Sequence, residues 1–394
     1  MTGPAGGLVL ALNAGSSSLK FGLFGAAGGM PAVLRGEIED LPGRPHLRAV
    51  DGTGVAVADR LWPADAAPAF PQLLEAVLEL ADTVRGSRPM VGVGHRIVHG
   101  GADFHAPARV TPALLAALEA LIPLDPLHMP HCLAPVRILA QTRPDLAQAV
   151  AFDTAFHHTL PGVATWMTLP RALRAQGLRR YGFHGLSYEF IARRLRAEAP
   201  ELARGRVIVA HLGSGASLCA LRDGRSIATT MGFSTLDGLM MATRCGHVDP
   251  GAILYLGRQG RSFDEIETLL YDASGLLGVS EISGDMRTLL ASDDPRAREA
   301  LDLFSYRIAT EAGSLVSALG GLDGLVFTAG VGAHAPAIRA AACGRLAWLG
   351  VTLDPAANQA GRDRISGPDS AIDFRVIATD EEAMIARHAA ETLG

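Results

Sequence analysis

The chain is almost without lysine. Of its 35 basic residues 34 are arginine, and Lys20 is the one lysine. An ammonium is a compact point charge and a guanidinium is a planar fork, so a site built for one does not accept the other freely. We therefore treat Lys20 as a candidate anion-binding residue. The alternative is that a compositional bias against lysine has left one survivor by chance.

Cysteines, long apolar runs and basic clusters are also scarce. The four cysteines lie far apart without a C-x-x-C pair, which indicates neither a disulfide framework nor a zinc site. No apolar run approaches the length of a membrane span, and the run at 8–12 is too short for a signal peptide. A net charge of −5 disfavours a nucleic-acid partner. We expect a cytoplasmic protein that binds neither membrane nor nucleic acid.

A glycine-serine turn follows the first apolar segment. The stretch from Leu8 to Lys20 reads as a strand, then Gly15 and three hydroxyls, which is typical of a turn whose backbone N–H groups face an anion. Residues 207–217 repeat this pattern about half a chain later, with Gly213 in the place of Gly15. The repeat predicts a duplication with two phosphate-contacting loops. The alternative is that any buried strand followed by a turn has this pattern.

Each half of the chain opens with strands and continues with helices. Strands are predicted at 8–12, 19–24, 32–38, 90–93, 149–152, 207–211, 217–221, 226–230, 325–328 and 376–378. Helices are predicted at 71–83, 111–121, 133–141, 263–270, 297–319 and 335–342, with a last helix from about 382. The order predicts two α/β domains with mixed sheets, each opening with an antiparallel meander.

Ligands in such folds bind beyond the carboxyl ends of the strands. That rule selects polar residues at predicted strand ends: Asn13, His95, Arg96, Asp153, His211, Gly330, Asp380 and Glu381.

Eight segments together resemble one family. They are 13–20 (NAGSSSLK), 94–101 (GHRIVHGG), 152–157 (FDTAFH), 181–185 (YGFHG), 211–215 (HLGSG), 243–246 (TRCG), 327–332 (FTAGVG) and 378–382 (ATDEE). In order and spacing they resemble the acetate kinases over nearly the whole chain. The resemblance implies a duplicated actin-like, ribonuclease-H-like α/β fold. It also implies reversible transfer of the γ-phosphoryl of ATP to acetate, giving acetyl phosphate and ADP, with Mg²⁺ or alternatively Mn²⁺, in a homodimer.

The resemblance assigns roles by position. Its catalytic residues fall on Arg96, Asp153, His184 and Arg244, with His128 supporting the transition state. Arginines can fork onto a phosphate or a substrate carboxylate. Acetate is already ionised at pH 7, so we expect Asp153 to orient donors and water-held Mg²⁺ rather than to remove a proton.

The remaining assignments concern ligands. The metal positions are Asn13 and Glu381, and Glu381 alternatively opens the last helix. The slot for the acetate methyl is formed by Val98, Leu127, Phe183 and Thr235. Nucleotide contacts fall on Ser16, Ser18, Lys20, His211, Leu212, Gly213, Ser214, Gly215, Asp285, Met286, Arg287, Gly330, Val331, Gly332, Ala333 and His334.

The chain departs from the family pattern at some positions. Thr235 replaces a frequent proline, Ser214 and Met129 replace asparagines, and Ala333 with His334 replaces Glu-Asn. These departures leave acyl chain length and nucleotide preference open. Alternatives are a kinase for propionate or another short acid, a pyrophosphate-dependent enzyme, and a non-metabolic actin-like ATPase. We expect residues 1–152 with 382–394 to form the first domain, and 153–381 to form the nucleotide-binding and dimerisation domain.

Overall fold

The structure is a computed structural model that describes residues 6–394. The chain divides into two compact units, one ending at Ala155 and rejoined by Asp380–Gly394, the other formed by Phe156–Thr379. Asp153 and Glu381, predicted at the edges of the second domain, both lie in the first unit. The reason is local, because the Asp153 amide donates to the Ile97 carbonyl and Glu381 opens a helix of that unit.

An eight-stranded sheet forms the centre of the first unit. Its strands are β1 (Leu8–Ala14), β2 (Leu19–Gly25), β3 (Ala32–Glu39), β4 (His46–Asp51), β5 (Ala56–Leu61), β6 (Met90–Ile97), β7 (Ala108–Arg109) and β8 (Gln148–Phe152). The order is β5-β4-β3-β2-β1-β6-β8-β7. β1 to β5 form an antiparallel meander, β6 runs parallel to β1, and β8 runs parallel to β6. β1 is continuously apolar because it is a central strand covered on both faces.

Three helices follow within this unit. They are α1 (Phe70–Arg85), α2 (Pro112–Glu119) and α3 (Met129–Thr142). The buried stripe of α1, which includes Leu73, Val77 and Ala81, recurs at helical spacing and packs on the sheet.

A five-stranded sheet forms the centre of the second unit. Its strands are β9 (Arg206–Leu212), β10 (Ala216–Arg222), β11 (Arg225–Thr229), β12 (Gly324–Thr328) and β13 (Asp373–Val376). Their order is β11-β10-β9-β12-β13. β9, β10 and β11 are antiparallel neighbours, whereas β12 runs parallel to β9 and β13 runs parallel to β12.

Twelve described helices accompany this sheet. They are α4 (Gly162–Thr165), α5 (Arg171–Ala175), α6 (Gly185–Glu198), α7 (Pro200–Arg204), α8 (Pro250–Arg258), α9 (Phe263–Asp272), α10 (Gly275–Ser280), α11 (Met286–Leu290), α12 (Pro295–Leu319), α13 (Ala329–His334), α14 (Pro336–Arg345) and α15 (Pro355–Gln359). The longest, α12, begins at the Asp294 cap and ends at Gly320, which adopts a left-handed conformation.

The last helix, α16 (Glu381–Leu393), returns to the first unit and packs on β1, β6 and β8. A Cβ at Gly94 would lie 2.8 Å from Ala389 and 2.9 Å from Ile385, so glycine permits this close approach of helix and sheet.

The two sheets repeat one topology. The order β3-β2-β1-β6-β8 of the first corresponds, strand for strand and direction for direction, to β11-β10-β9-β12-β13 of the second. The predicted pair of α/β units with mixed sheets and opening meanders is therefore confirmed. The two predicted phosphate loops, β1–β2 and β9–β10, occupy equivalent places in the repeat. Among residues 6–394, no helix combines the length and the apolar content that a membrane crossing requires.

Some element predictions were wrong or incomplete. The strand predicted at 376–378 lies at 373–376, where buried Phe374 and Val376 alternate with the charged Asp373 and Arg375. β4 and β5 were not predicted, although their Asp51-Gly52-Thr53-Gly54 connection is a hairpin signal, because β5 is exposed and carries no apolar face.

Candidate active site

In the first unit, the ends of β1, β6 and β8 meet the start of α16 at a charged cluster. The Asn13 amide nitrogen donates to Glu381 Oε2 at 3.2 Å and to Glu382 Oε1 at 3.0 Å. Arg96 Nη1 donates to Asn13 Oδ1 at 3.3 Å, and Arg96 Nε donates to Asp153 Oδ2 at 2.7 Å. Asn13 thus links the Arg96 guanidinium to the Glu381 and Glu382 carboxylates through hydrogen bonds.

Burial makes the charges of this cluster interdependent. Burial is the largest single effect on Arg96 and lowers its pKa, but the neighbouring groups, chiefly the Asp153 carboxylate, together outweigh burial, so the net pKa is raised and the guanidinium stays charged. Burial and the nearby negative charge of Asp153 raise the pKa of Glu381 to about 7. The negative charge of the carboxylates in this cluster therefore exceeds the positive charge of its one arginine.

The residues present fit a hydrated divalent cation. Both Arg96 contacts of Asp153 fall on Oδ2, and the buried Oδ1 has no hydrogen-bond partner among residues 6–394. The described part of the chain contains no group of three His, Cys, Asp or Glu side chains that could enclose a metal. Mg²⁺ dehydrates reluctantly and binds through one or two carboxylates, waters and substrate phosphates, which suits this arrangement.

His128 lies at the start of α3 in the same unit. Its Nδ1 is 2.8 Å from Oδ1 of the buried Asp125, and its backbone amide donates to the same oxygen at 3.3 Å. The short i,i+3 loop therefore fixes the imidazole orientation.

The β1–β2 turn carries the other predicted groups of this unit. The Gly15 amide donates to the Ser18 carbonyl at 2.9 Å, closing the turn and leaving Ser16 exposed. Lys20 is exposed on β2 and paired in register with Asn13. Its positive charge slightly opposes the burial and the negative charge that raise the pKa of Glu381.

In the second unit, two histidine rings lie stacked beneath the glycine loop. His184 precedes α6 and His211 lies near the end of β9, with ring centroids 4.1 Å apart and an interplanar angle of 18°. A Cβ at Gly215 would lie 3.4 Å from His184 Nε2, and one at Gly213 would lie 3.8 Å from His211 Nε2. Both Nε2 atoms therefore face the 213–215 loop.

Arg244 approaches the same loop. Its Nη1 would lie 3.7 Å from a Cβ at Gly215 and donates to the Thr235 carbonyl at 3.1 Å. An imidazole and a guanidinium thus converge where the loop has no side chain. Donors arranged in this way can stabilise charge that develops on a transferring phosphoryl group.

Two non-glycine residues of this unit have left-handed backbones beside predicted phosphate contacts. His184 has φ 57° directly before α6, and Ala329 has φ 63° between β12 and Gly330. Such strain persists where the surrounding structure imposes it, and it is concentrated at functional sites.

A cavity of about 510 Å³ opens next to the loop within the second unit. It is lined by Gly213, Ser214, Leu276, Gly284, Asp285, Met286, Arg287, Leu290, Gly330, Val331, His334 and Ala335. Apolar side chains and backbone form most of the wall, so the cavity suits a flat aromatic group attached to a phosphate chain.

Asp285 is occupied by local contacts. Its carboxylate accepts from the Arg287 amide at 2.7 Å and from Arg287 Nη2 at 2.7 Å, and it caps α11. The Arg287 side chain is the main cause that lowers the pKa of Asp285 to about 2. Asp285 is therefore an ionised helix cap as well as a lining residue.

Comparison with known proteins identifies the family. A sequence model of the acetokinase family matches residues 8–387. The chain belongs to the acetokinase family. It is 53% identical to an acetate kinase of Rhodopseudomonas palustris strain TIE-1 over 388 residues, which cover 97% of each chain. It is 46% identical to an acetate kinase of Rhizobium meliloti, with 96% of this chain and 97% of the relative covered.

Solved structures agree with this acetokinase fold. A propionate kinase from Francisella tularensis matches with a TM-score of 0.90 at 33% identity, covering 98% of this chain and 100% of the other. The acetate kinase of Porphyromonas gingivalis matches with a TM-score of 0.86 at 34% identity, with the same coverage. The duplicated actin-like architecture expected from the resemblance is confirmed.

The predicted site residues of this acetokinase fall into two sets. Asn13, Arg96, Asp153 and Glu381 meet in the first unit, whereas His184, His211, Arg244 and the loop residues meet in the second. Of the four residues predicted to line the methyl slot, two belong to each unit. In the first, Val98 is buried and Leu127 is 38% exposed; in the second, Phe183 and Thr235 are buried.

The sequence reasoning missed several side chains that contact predicted site residues. These are Asp125, Tyr188, Ser187, Ser217 and Glu382. The spacing of three residues was the available signal for the contact of Asp125 with His128. No such signal existed for Ser187, which contacts His211 from a different element. No local signal pointed to Ser217, whose role depends on strand register.

Proposed function

We propose that this acetokinase is an acetate kinase that transfers the ATP γ-phosphoryl group to acetate, reversibly, giving acetyl phosphate and ADP. The supporting observation is the convergence of His184 Nε2 and Arg244 Nη1 on the position of the missing Gly215 side chain. Phosphoryl transfer needs positioning and charge stabilisation far more than covalent chemistry. This arrangement provides both positioning and charge stabilisation. The choice of reaction rests on the relatives that are named acetate kinase.

The second unit binds the donor in this proposal. Backbone amides of the 213–215 loop and the start of α13 contact the phosphates, and the cavity accommodates the base. His184 and Arg244 donate to the oxygens of the transferring group, and His211 supports the same loop. Removing one such donor typically costs about a hundredfold to a thousandfold in turnover.

The first unit supplies the acidic cluster, Arg96 and the β1–β2 turn. Mg²⁺, for which Mn²⁺ can substitute, would be held by Glu381, with Asn13 and Asp153 acting through its waters. When bound, the cation supplies positive charge to the phosphate oxygens. Arg96 binds the substrate carboxylate, and Asp153 holds Arg96 in place. Because acetate is ionised at pH 7, Asp153 is not needed as a base.

A second acceptor is propionate, because the neighbour with the TM-score of 0.90 is a propionate kinase. A slot discriminates one methylene by only about 1 to 3 kcal/mol. We therefore propose acetate as the better acceptor and propionate as a slower one.

The donor is proposed to be a nucleoside triphosphate. A pyrophosphate donor carries no base, so the largely apolar 510 Å³ cavity would have no occupant with it. The family resemblance further supports a cytoplasmic homodimer that makes acetyl phosphate for acetyl-CoA synthesis. Exposed apolar side chains on α8 and α9, including Phe263 at 90% exposure, are consistent with a subunit contact.

The test is a hydroxamate assay on purified protein with Mg²⁺. Acetate, propionate and butyrate are each combined with ATP or pyrophosphate, and acyl phosphate is trapped by hydroxylamine. We expect acetyl hydroxamate with ATP, less product with propionate and none with pyrophosphate. ATP hydrolysis without acyl phosphate would favour an actin-like ATPase, and product with pyrophosphate alone would overturn the donor assignment.

A further inference from the structure

Two serines anchor the stacked histidines in a crossed arrangement. Ser217 on β10 lies opposite His211 on β9 in the strand register, and Ser187 lies in the first turn of α6, three residues after His184. His184 Nδ1 is 2.8 Å from Ser217 Oγ, and His211 Nδ1 is 2.8 Å from Ser187 Oγ. The start of α6 and the β9–β10 hairpin thus each supply one imidazole and the serine that anchors the other imidazole.

This crossing determines which ring atom faces the loop. Both Nδ1 atoms are engaged by serines, so the opposite ring atoms, Nε2, are the ones directed at Gly213 and Gly215. Ser187 and Ser217 are fully buried, so their hydroxyls do not exchange these contacts for water. The tautomer and orientation of such a ring are set by the hydrogen bond at its other nitrogen.

Tyr188 extends the arrangement on one side. Its hydroxyl is hydrogen-bonded to Ser217 Oγ, and Tyr188 is fully buried. A serine hydroxyl has one hydrogen to donate and two lone pairs that accept. When the phenol donates to Ser217 Oγ, the serine donates its own hydrogen to His184 Nδ1. His184 then carries its hydrogen on Nε2, the atom that faces the loop.

We propose that Ser217 is a positioning residue for phosphoryl transfer, which holds His184 in the Nε2–H form with Tyr188 orienting the serine, and that Ser187 fixes the ring orientation of His211. The inference rests on the proposed function, because it assigns to His184 a hydrogen bond to the transferring phosphoryl. It requires neither serine to contact a substrate. The effect should therefore appear in turnover rather than in substrate binding.

The experiment compares Ser217→Ala with a matched control, Ser226→Ala. Ser226 is equally buried in the same sheet, and its Oγ is 2.8 Å from His157 Nδ1, so the control removes a histidine-serine bond of the same kind away from the loop. The His157 Nε2 is 2.9 Å from the Phe183 carbonyl and is not among the atoms nearest to Gly213 or Gly215. Steady-state kinetics, thermal unfolding and ¹⁵N imidazole NMR are measured for both variants and for Tyr188→Phe.

We expect Ser217→Ala to lower kcat by about tenfold or more, as loss of an orienting partner commonly does, with KM for ATP and acetate within about threefold. Tyr188→Phe should lower kcat less, because the serine hydroxyl remains. The two alanine variants should lose similar thermal stability, and the wild-type NMR spectrum should show hydrogen on His184 Nε2.

Two results would overturn the inference while leaving the proposed function intact. One is wild-type acetyl phosphate formation together with equal kcat in Ser217→Ala and Ser226→Ala. The other is a wild-type His184 protonated on Nδ1 alone. Failure of the wild type to form acyl phosphate would instead refute the proposed function.

Discussion

His95 should make the first unit sensitive to mild acid. Its ring is fully buried on β6, and neither nitrogen has a hydrogen-bond partner among residues 6–394. Burial lowers the pKa of His95 to about 4, from an ordinary value of 6.5, and the nearby Gln148 side chain, which forms no hydrogen bond of normal geometry with the ring, offsets only part of this effect. Between these two values the unfolded chain binds a proton that the folded chain excludes, so the free energy of unfolding falls as pH falls.

The magnitude follows from the two pKa values. At pH 5 the unfolded imidazole is almost fully protonated and the folded one almost neutral, which costs about 2 kcal/mol of stability relative to pH 8. The loss continues until the pH passes below about 4. Because a domain is stable by only about 5 to 15 kcal/mol, this single side chain should be measurable.

The assay is urea unfolding followed by circular dichroism at pH 8, 7, 6 and 5. His95→Leu removes the titrating group and the two unpartnered nitrogens, and the exposed His105→Leu is the control. Between pH 8 and pH 5 we expect the free energy of unfolding of His95→Leu to fall by about 2 kcal/mol less than that of the wild type. Equal losses in the wild type and in both variants would refute the reasoning.

Arg96→Ala should lower kcat by about a hundredfold or more and also cost about 3 kcal/mol of stability, because it leaves Asp153 buried without its cation. Arg244→Ala, whose Nη1 contacts a carbonyl, should lower kcat similarly with a much smaller drop in melting temperature; equal drops would mean that both arginines are structural. Lys20→Arg should fold normally but lose about tenfold or more in turnover, since a guanidinium is bulkier than an ammonium. Kinetics close to wild type would instead mean that Lys20 has no specific role and reflects the composition of the chain. ATP, GTP and ITP should support catalytic efficiencies within about tenfold of one another, or about 1.4 kcal/mol, because contacts to the phosphates dominate nucleotide binding. His334→Asn should widen the preference for ATP. A wild-type preference for ATP above about a hundredfold would contradict the prediction that the phosphates dominate.

Local patterns predicted the parts of the fold that depend on local chemistry. The apolar run before Gly15 predicted β1, and its echo before Gly213 predicted β9. Both became central strands because burial on two faces requires a continuous apolar run. The exposed β5 has no such run, so it could be placed only by its pairing with β4.

In the candidate site, too, local sequence patterns predicted only the residues whose chemistry is local. The family motifs located His184 and Arg244, whose residue types report their chemistry. Ser217 and Tyr188 have residue types that occur throughout protein cores. Their contacts depend on strand register and on the entry angle of α6, which arise from tertiary packing and leave no local pattern in sequence.

The central claim is that this chain moves the γ-phosphoryl of ATP onto acetate. The most direct measurement is ³¹P NMR of purified protein with ATP, Mg²⁺ and acetate, with the reverse reaction started from acetyl phosphate and ADP. The account predicts an acetyl phosphate resonance that grows in equal amount with ADP, and ATP formation in reverse. Orthophosphate and ADP without acetyl phosphate, with no ATP formed in reverse, would contradict it.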